Sequence, residues 1–245
     1  MRAIILDRNN RAVRRQTMTS RTIGILSPGD MGSGLGRLLR KHSFRVVTNL
    51  EGRSPRSKEL AQGAGFEDLG SDHALLTSAD IIISVLVPSS STATAERIAA
   101  CSKEIGKEHL RTKFYIDANA VAPRTVRQMS TLFADSSITF IDGAIIGGPP
   151  RLRPDNTWYR PTIALSGSGT RDIHLDDVFD VSHVGPEIGQ ASALKMSFAS
   201  LSKVKSMQIP QRLICIGIYS HCRPVPRNGA CEWTSTAAAR AVKKA

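Results

Sequence analysis

The residues with the clearest chemical purpose form a glycine-rich turn near the start of this 245-residue chain. The stretch IGILSPGDMGSGLGRLLRK places five glycines between an apolar run and an amphipathic run: Gly24, Gly29, Gly32, Gly34 and Gly36. A helix that starts near Met31 would offer free N–H groups and a partial positive charge to a phosphate group. Gly29 would let a pyrophosphate approach the backbone, and Gly32 would let the helix pack on the strand. The turn therefore predicts a dinucleotide-binding site, with a merely tight turn as the alternative.

Ser27 occupies the position at which a strict G-x-G-x-x-G motif has its first glycine, and Pro28 follows it. A second match to the glycine spacing runs from Gly29 to Gly34, but it would lie inside the helix. The turn thus departs from the strict motif at its first position.

The residues after the second expected strand bear on which dinucleotide binds. An acid at the tip of that strand would bond the ribose hydroxyls of NAD, whereas a neutral residue followed by arginine accommodates the 2′-phosphate of NADP. Asn49 stands at the tip, with Arg53 and Ser54 just beyond. This pattern favours NADP over NAD. Glu51 argues for NAD instead, because it would accept the ribose hydroxyls if the strand were two residues longer. A further alternative is that these residues form only a solvated basic loop.

Two polar residues further along the chain are candidates for substrate chemistry. Asn119 follows the carboxyl end of a strand, where ligands of open α/β sheets gather, although it could simply close the turn before Pro123. Lys195 lies on an expected helix, between its apolar stripe and a face of small residues. Taken alone, Lys195 is typical of a surface lysine whose stem covers apolar area.

The elements that must position these residues alternate between strand and helix from Thr22 onward. Strands are expected over 22–26, 45–50, 65–69, 80–87, 113–119, 138–146 and 162–167, the last two closing the series. Helices are expected over 32–43, 54–65, 72–79, 92–105 and 122–136. Alternation at this spacing predicts parallel βαβ units, and hence an α/β fold with a doubly wound parallel sheet.

The charge of the chain, +12 in all, is concentrated at its two ends. Residues 1–21 carry six Arg against one Asp, and residues 204–245 carry seven Lys or Arg against one Glu, so the middle is nearly neutral. This distribution argues against a nucleic-acid partner, because a binding domain would carry its charge on a folded face. No apolar run is long enough to span a bilayer, so no membrane partner is expected. No histidine spacing or cysteine pairing indicates a metal site.

The ends are expected to have little structure, with 1–21 a disordered basic extension. Its arginines could belong to a transit peptide, but Asp7 spoils the pattern, and translation from Met18 is the preferred interpretation. The four cysteines lack a CxxC spacing and a secretory leader, which favours a reduced compartment. The expected location is the cytoplasm, with the mitochondrion as the alternative.

The chain resembles the 6-phosphogluconate dehydrogenase and β-hydroxyacid dehydrogenase superfamily over about 22–203. The resemblance rests on IGILSPGDMGSGLG, SVLVPSS, DANAVAP, DGAIIGGPP and GQASALKMSFASLSK, in that order. It is nearest to a subgroup whose turn reads S/H-P-G-x-M-G, so Ser27 and Pro28 are subgroup features. The resemblance implies a Rossmann-like NAD(P)-binding domain over 22–187 and the start of an interdomain helix over 188–203.

The resemblance also implies the site. Lys195 matches the family's general acid/base in hydride transfer to or from a small hydroxy acid, and Asn119 matches a substrate-contacting amide. Gly147 and Gly148 match a loop whose N–H groups hold the substrate's acid group, although Ile146 replaces the family's serine. The cofactor contacts that it implies, together with those argued above, are Ser27, Pro28, Gly29, Asp30, Met31, Gly32, Asn49, Arg53, Ser54, Val87 and Pro88.

After Lys203 the resemblance stops. Family members continue into a helical domain that closes the active site and usually makes a dimer. Residues 204–245 instead contain Pro210, Pro224 and Pro226, which break helices, and are interpreted as an irregular, non-native tail, with a genuine divergent extension as the alternative. Impaired turnover is therefore expected, which leaves the enzymatic status uncertain. The alternative function is an NADP-binding module without turnover.

Overall fold

A computed structural model describes residues 21–204 of the chain, and the expectations for 1–20 and 205–245 lie outside the described residues. Its strands are β1 Thr22–Leu26, β2 Arg45–Thr48, β3 Glu67–Asp68, β4 Ile81–Ser84, β5 Phe114–Asp117, β6 Thr139–Ile146, β7 Arg151–Leu152, β8 Trp158–Tyr159, β9 Thr162–Ser166 and β10 Asp180–Gly185. Its helices are α1 Asp30–Lys41, α2 Pro55–Gly63, α3 Asp72–Ser78, α4 Ser91–Ile105, α5 Pro123–Thr131 and α6 Gln190–Val204.

Eight strands form one sheet in the order β10-β9-β6-β5-β4-β1-β2-β3, and β7 pairs with β8 in a separate hairpin. The strands from β3 to β6 are parallel, which confirms the α/β fold predicted from the alternation. Helices cover both faces of the sheet. The apolar strands β1, β4 and β5 are consequently buried along their whole length.

At one edge, the sheet departs from the parallel pairing expected from the sequence. Strand β9 pairs antiparallel with β6, and a tenth strand, β10, runs parallel to β9 beyond it. The segment between β6 and β9 contains the β7–β8 hairpin rather than a helix. A parallel connection usually passes through a helix, and this segment forms a hairpin instead, after which the chain returns in the opposite direction. The sequence of β10, DVSHVG, is too polar to stand out as a strand.

A row of polar residues crosses the carboxyl ends of the central strands. The backbone register aligns Ser84 with Asp117, Asp117 with Asp142, and Asp142 with Ser166 on four neighbouring strands. All four side chains are fully buried. Polar side chains buried in this way must find hydrogen-bond partners or remain costly, and the partners they find organise the candidate site.

Candidate functional site

The glycine-rich turn links β1 to α1 through a left-handed residue. Ser27 has φ +63°, a conformation that favours glycine, which explains why the strict motif carries glycine at this position. The Gly29 N–H donates to the Ser27 carbonyl at 2.8 Å. The Ser33 hydroxyl donates to the Pro28 carbonyl at 3.3 Å. These bonds fix a tight turn immediately before the N-terminus of α1, which begins at Asp30, next to the expected start near Met31.

Gly29 and Gly32 have different surroundings. A Cβ placed on Gly32 would stand 3.0 Å from the Ser27 carbonyl oxygen and 3.3 Å from the Ile25 side chain, so Gly32 allows α1 to pack closely on β1. A Cβ placed on Gly29 would meet nothing within 4 Å. The turn itself therefore does not require a glycine at position 29. The space in front of it is open at a helix N-terminus, which suits a phosphate group.

The end of β2 is built around Asn49, which is buried. Its Nδ2 donates to Asp72 Oδ1 at 2.8 Å, and its Oδ1 accepts the Glu51 N–H at 3.0 Å. Asp72 also forms an ion pair with Arg97 of α4. Because Asn49 and Asp72 satisfy each other, the charged groups that remain at this end are the exposed Glu51 and the half-buried Arg53.

Positive charge collects beside the end of β2. Burial lowers the pKa of Arg97, and the nearby Arg53 guanidinium lowers it further, so the two cations act on each other. Ser54 caps α2 by accepting the Ser57 N–H. Arg56 in the first turn of α2 reaches Asp30 of α1 at 3.3 Å, with both side chains largely exposed. These residues surround the position at which the sequence pattern places a 2′-phosphate.

The loops after β4 and β5 contain the other expected contacts. Val87 is 65% exposed, an unusual position for a large apolar side chain, and Pro88 starts a short 3-10 turn. Asn119 is buried, and its Oδ1 accepts the Leu86 N–H at 2.5 Å. Its Nδ2 lies within hydrogen-bond distance of the Ser84 and Ser91 hydroxyls and of Asp117 Oδ1. These bonds join the loop after β5 to the loop after β4, and the substrate contact expected of Asn119 stays a prediction.

Asp117 is the strongest electrostatic feature of this end of the sheet. One carboxylate oxygen accepts from Ser91 at 3.0 Å and from Asn119, whereas the other, Oδ2, is buried with no partner among the described residues. The pKa of Asp117 is raised to about 6, chiefly by burial; the hydrogen bonds from Asn119 and Ser91 oppose the shift, and the neighbouring Asp142 adds to it. The sequence gives one weak signal for such a group, a single acid that closes an apolar strand, FYID.

Asp142 caps the N-terminus of α6. Its Oδ2 accepts the N–H groups of Gly189 at 2.9 Å and Ser192 at 3.1 Å, together with the Ser166 hydroxyl at 3.0 Å. Its Oδ1 accepts the Ser192 hydroxyl at 2.6 Å. A negative group at a helix N-terminus is favourable, and here it joins α6 to β6. Sequence reasoning does not single out Asp142.

This cap determines where Lys195 lies. Lys195 is three residues after Ser192 and so shares its helix face, and helical side chains lean toward the helix N-terminus. Lys195 thus leans toward the strand ends that carry Asp142 and Asp117, and its side chain is partly buried. Burial lowers the pKa of Lys195, and the negative charge of Asp117 opposes that shift. Because burial lowers its pKa, Lys195 can exchange protons nearer neutral pH than a surface lysine.

Replacing Asp117 with asparagine should flatten the pH dependence of stability. The pKa of this carboxyl is raised from 3.8 to about 6, so the folded state keeps a proton that the unfolded state releases. The stability that this proton contributes is complete below about pH 4 and is lost as pH rises through about 6, a change on the order of 3 kcal/mol. The groups facing the carboxyl are Asp142 on β6, Lys195 on α6 and Tyr115 on β5, whose own pKa burial raises.

The measurement is urea unfolding of the wild type and Asp117→Asn at intervals from about pH 4 to 8. The difference in unfolding free energy between the two proteins should change by about 3 kcal/mol over this range, because the wild type loses stability as pH rises. Asp135→Asn, at an 89% exposed side chain, is the control and should follow the wild type. Parallel curves for Asp117→Asn and the wild type would mean that Asp117 does not hold a raised pKa.

Gly147 and Gly148 follow β6 and meet the β7–β8 hairpin. Gly147 has φ +115°, a conformation that requires glycine. The Gly148 N–H donates to the Tyr159 hydroxyl at 3.2 Å. The N–H that the family resemblance assigns to a substrate's acid group thus already contacts a hydroxyl of the protein. Tyr159 was not expected at the site, because the hairpin that carries it has no strong sequence signal.

The structure brings the turn, the loops after β4 and β5, the Gly147–Gly148 loop and Lys195 to the carboxyl edge of one sheet. Among residues 21–204, no three His, Cys, Asp or Glu side chains are grouped so that they could hold a metal ion. No helix in that range has the length and apolar character needed to cross a membrane.

Comparison with known proteins identifies the class of protein to which this fold and turn belong. The family model described as the NAD binding domain of 6-phosphogluconate dehydrogenase matches residues 22–155, more than half of the chain. The chain therefore belongs to this family of NAD-binding domains, which confirms the resemblance stated from the motifs.

Individual proteins are also similar to this chain. An uncharacterized 28.5 kDa protein in the 7S RNA 5′ region of Methanothermus fervidus is 27% identical over 176 residues, covering 71% of this chain. The chain spans 62% of the length of that relative. A conserved protein of unknown function, whose structure is described as similar to 3-hydroxyacid dehydrogenases, is 25% identical with a TM-score of 0.58, over 81% of this chain and 76% of its own.

Two further solved structures share the fold at lower identity. An imine reductase from Myxococcus stipitatus in complex with NADP⁺ is 18% identical with a TM-score of 0.58, over 81% of this chain and 71% of its own. A reductive aminase from Aspergillus terreus in complex with NADPH is 16% identical with a TM-score of 0.58, over 75% of this chain and 61% of its own.

Proposed function

We propose that residues 22–187 bind NADP(H) and serve an oxidoreductase that moves a hydride between this cofactor and a small hydroxy acid. The observation that carries the proposal is Lys195, which is partly buried with a lowered pKa at the same sheet edge as the glycine-rich turn. A nicotinamide supplies the hydride acceptor or donor in such a reaction. The likeness to 3-hydroxyacid dehydrogenases described for one relative supports the substrate class.

The residues of this chain would divide the work as follows. Gly29 and the N-terminus of α1 hold the pyrophosphate, with Ser27, Pro28, Asp30, Met31 and Gly32 shaping the turn. In the oxidation direction, neutral Lys195 takes the hydroxyl proton of the substrate as the C–H hydride leaves. In the reduction direction, its ammonium returns that proton. Asp117 supports the charged form of Lys195 and keeps it from losing its proton too readily.

NADPH should bind more tightly than NADH. The buried Asn49 offers no carboxylate to a 2′-phosphate, and Arg53 stands beside it without an ion pair among the described residues. We expect Arg53→Gln to weaken NADPH binding about tenfold or more, the contribution of a hydrogen bond to a charged group, and to leave NADH binding unchanged. Calorimetric titration with both nucleotides measures this.

Arg171→Gln is the matched control, because Arg171 lies on a short turn at the opposite edge of the sheet. Arg171→Gln should leave the affinities for NADPH and for NADH unchanged. Equal affinities in the wild type, or an NADH preference that Glu51→Gln removes, would instead indicate that Glu51 accepts the ribose hydroxyls.

A cofactor-binding module without turnover is the second candidate, supported by the family model, which describes an NAD binding domain and matches residues 22–155, before Lys195. A screen of 3-hydroxy acids with NADP⁺ decides between the two. Oxidation that Lys195→Ala abolishes supports the enzyme. Nucleotide binding with no turnover, in a chain that includes a complete helical domain as well as in this one, supports the module.

A further inference from the structure

The β7–β8 hairpin lies directly against the Gly147–Gly148 loop. The Tyr159 hydroxyl accepts the Gly148 N–H at 3.2 Å, and this leaves its own O–H free to donate elsewhere. A Cβ on Gly147 would overlap that hydroxyl, so the glycine permits the contact. The approach of Tyr159 to the loop is therefore built into the backbone at this position.

Two guanidinium groups lie against the ring of the same tyrosine. The centre of the Arg151 guanidinium is 4.8 Å from the centroid of the Tyr159 ring, and that of Arg153 is 5.6 Å away. Neither arginine forms an ion pair with any residue in the described range. Like charges held near one ring repel each other, and an anion between them would offset that cost.

Arg151 also faces the glycine loop. Its Nη1 is 3.7 Å from the place that a Cβ on Gly148 would occupy. One small region therefore contains a guanidinium fork and a hydroxyl that a backbone N–H holds in place, and the fork and the hydroxyl are donors that recognise a carboxylate. Trp158, adjacent on β8, packs against the main core cluster and anchors the hairpin in this position.

We propose that Arg151 and Tyr159, whose hydroxyl is held by the Gly148 N–H, form a binding site for the carboxylate of a small hydroxy acid. This inference rests on the proposed function for the identity of the acid. The guanidinium of Arg151 donates two N–H groups to the carboxylate, and Tyr159 donates its O–H while its oxygen still accepts from Gly148. Arg153 adds positive charge without direct contact.

Trp158 provides a readout that does not depend on turnover. The chain contains two tryptophans, so the full chain carrying Trp233→Phe leaves Trp158 as the reporter beside the site. Titration with 3-hydroxypropionate should change its emission saturably, whereas 1,3-propanediol, which lacks the carboxylate, should not. Arg151→Gln should weaken 3-hydroxypropionate binding about tenfold or more, and Tyr159→Phe should weaken it about threefold to tenfold.

Arg160→Gln is the matched control, because Arg160 follows Tyr159 directly but donates to the Asp177 carbonyl at 3.3 Å. It should leave the affinity unchanged. Unaltered binding in both Arg151→Gln and Tyr159→Phe would overturn the site, and so would phosphate binding as tightly as the carboxylate. Tyr159→Phe removes one oxygen only, which keeps the test valid if Arg151→Gln fails to fold.

Failure of this inference and failure of the proposed function give different results. If NADPH does not bind but 3-hydroxypropionate binds in an Arg151-dependent way, the acid site stands and the cofactor assignment fails. If NADPH binds and supports turnover while Arg151→Gln changes neither the affinity nor the KM for 3-hydroxypropionate, the acid site fails and the function stands.

Discussion

Replacing Gly29 with valine should weaken NADPH binding at least about a hundredfold while the unfolding free energy stays within about 0.5 kcal/mol of the wild type. Gly29 has φ −76° and ψ −170°, an extended conformation open to any residue, and a Cβ there meets nothing within 4 Å. The added side chain would therefore occupy only the open space at the N-terminus of α1. That space is where a pyrophosphate must lie to reach the helix N–H groups.

Calorimetric titration and urea unfolding of the same preparation measure the two quantities. Gly63→Val is the control, because Gly63 also faces open space, at the end of α2 and away from the turn. It should preserve NADPH affinity. Gly32→Val should behave differently from Gly29→Val and lower stability, since its Cβ would press on the Ser27 carbonyl. NADPH affinity that survives Gly29→Val would mean that the turn has only a structural role.

Replacing Asp142 with alanine should lower the free energy of unfolding by about 3–5 kcal/mol. The carboxylate is fully buried and accepts four hydrogen bonds, from Ser166, Gly189 and both the N–H and the hydroxyl of Ser192. Alanine would leave these donors buried without an acceptor and remove the cap of α6. Hydrogen bonds to a charged group are among the most costly to break.

Urea unfolding at neutral pH measures the loss. Asp135→Ala, at an exposed carboxylate 4.0 Å from Lys103, should change stability by less than about 0.5 kcal/mol. Asp142→Asn keeps the shape but turns an N–H toward other N–H groups, so it should also destabilise. A change below about 1 kcal/mol in Asp142→Ala would show that water or a shift of α6 satisfies the donors.

The sequence predicted the elements best where their pattern is local and strongly apolar. The runs TIGIL and DIIISVLV, and the helices between them, lie where the alternation placed them, within a few residues. The sequence did not predict β7, β8 or β10 beside the β6–β9 edge. Strands β7 and β8 have only two residues each and β10 is polar, so none of them carries a clear periodic signal. Strand direction there depends on how the chain returns after β6, which no window of residues encodes.

What the sequence by itself determined is the glycine-rich turn, the α/β alternation and the family, because each is set by residue type at short spacing. Gly29, Gly32 and Lys195 could be named from the sequence. Only the structure shows that Gly29 faces open space whereas Gly32 packs against β1. Only the tertiary structure determined which charged groups lie near Lys195. Asp117 and Asp142 come together because strands 25 residues apart in sequence align in register. The raised pKa of Asp117 follows from burial, which depends on the whole sheet and on the helices that cover it.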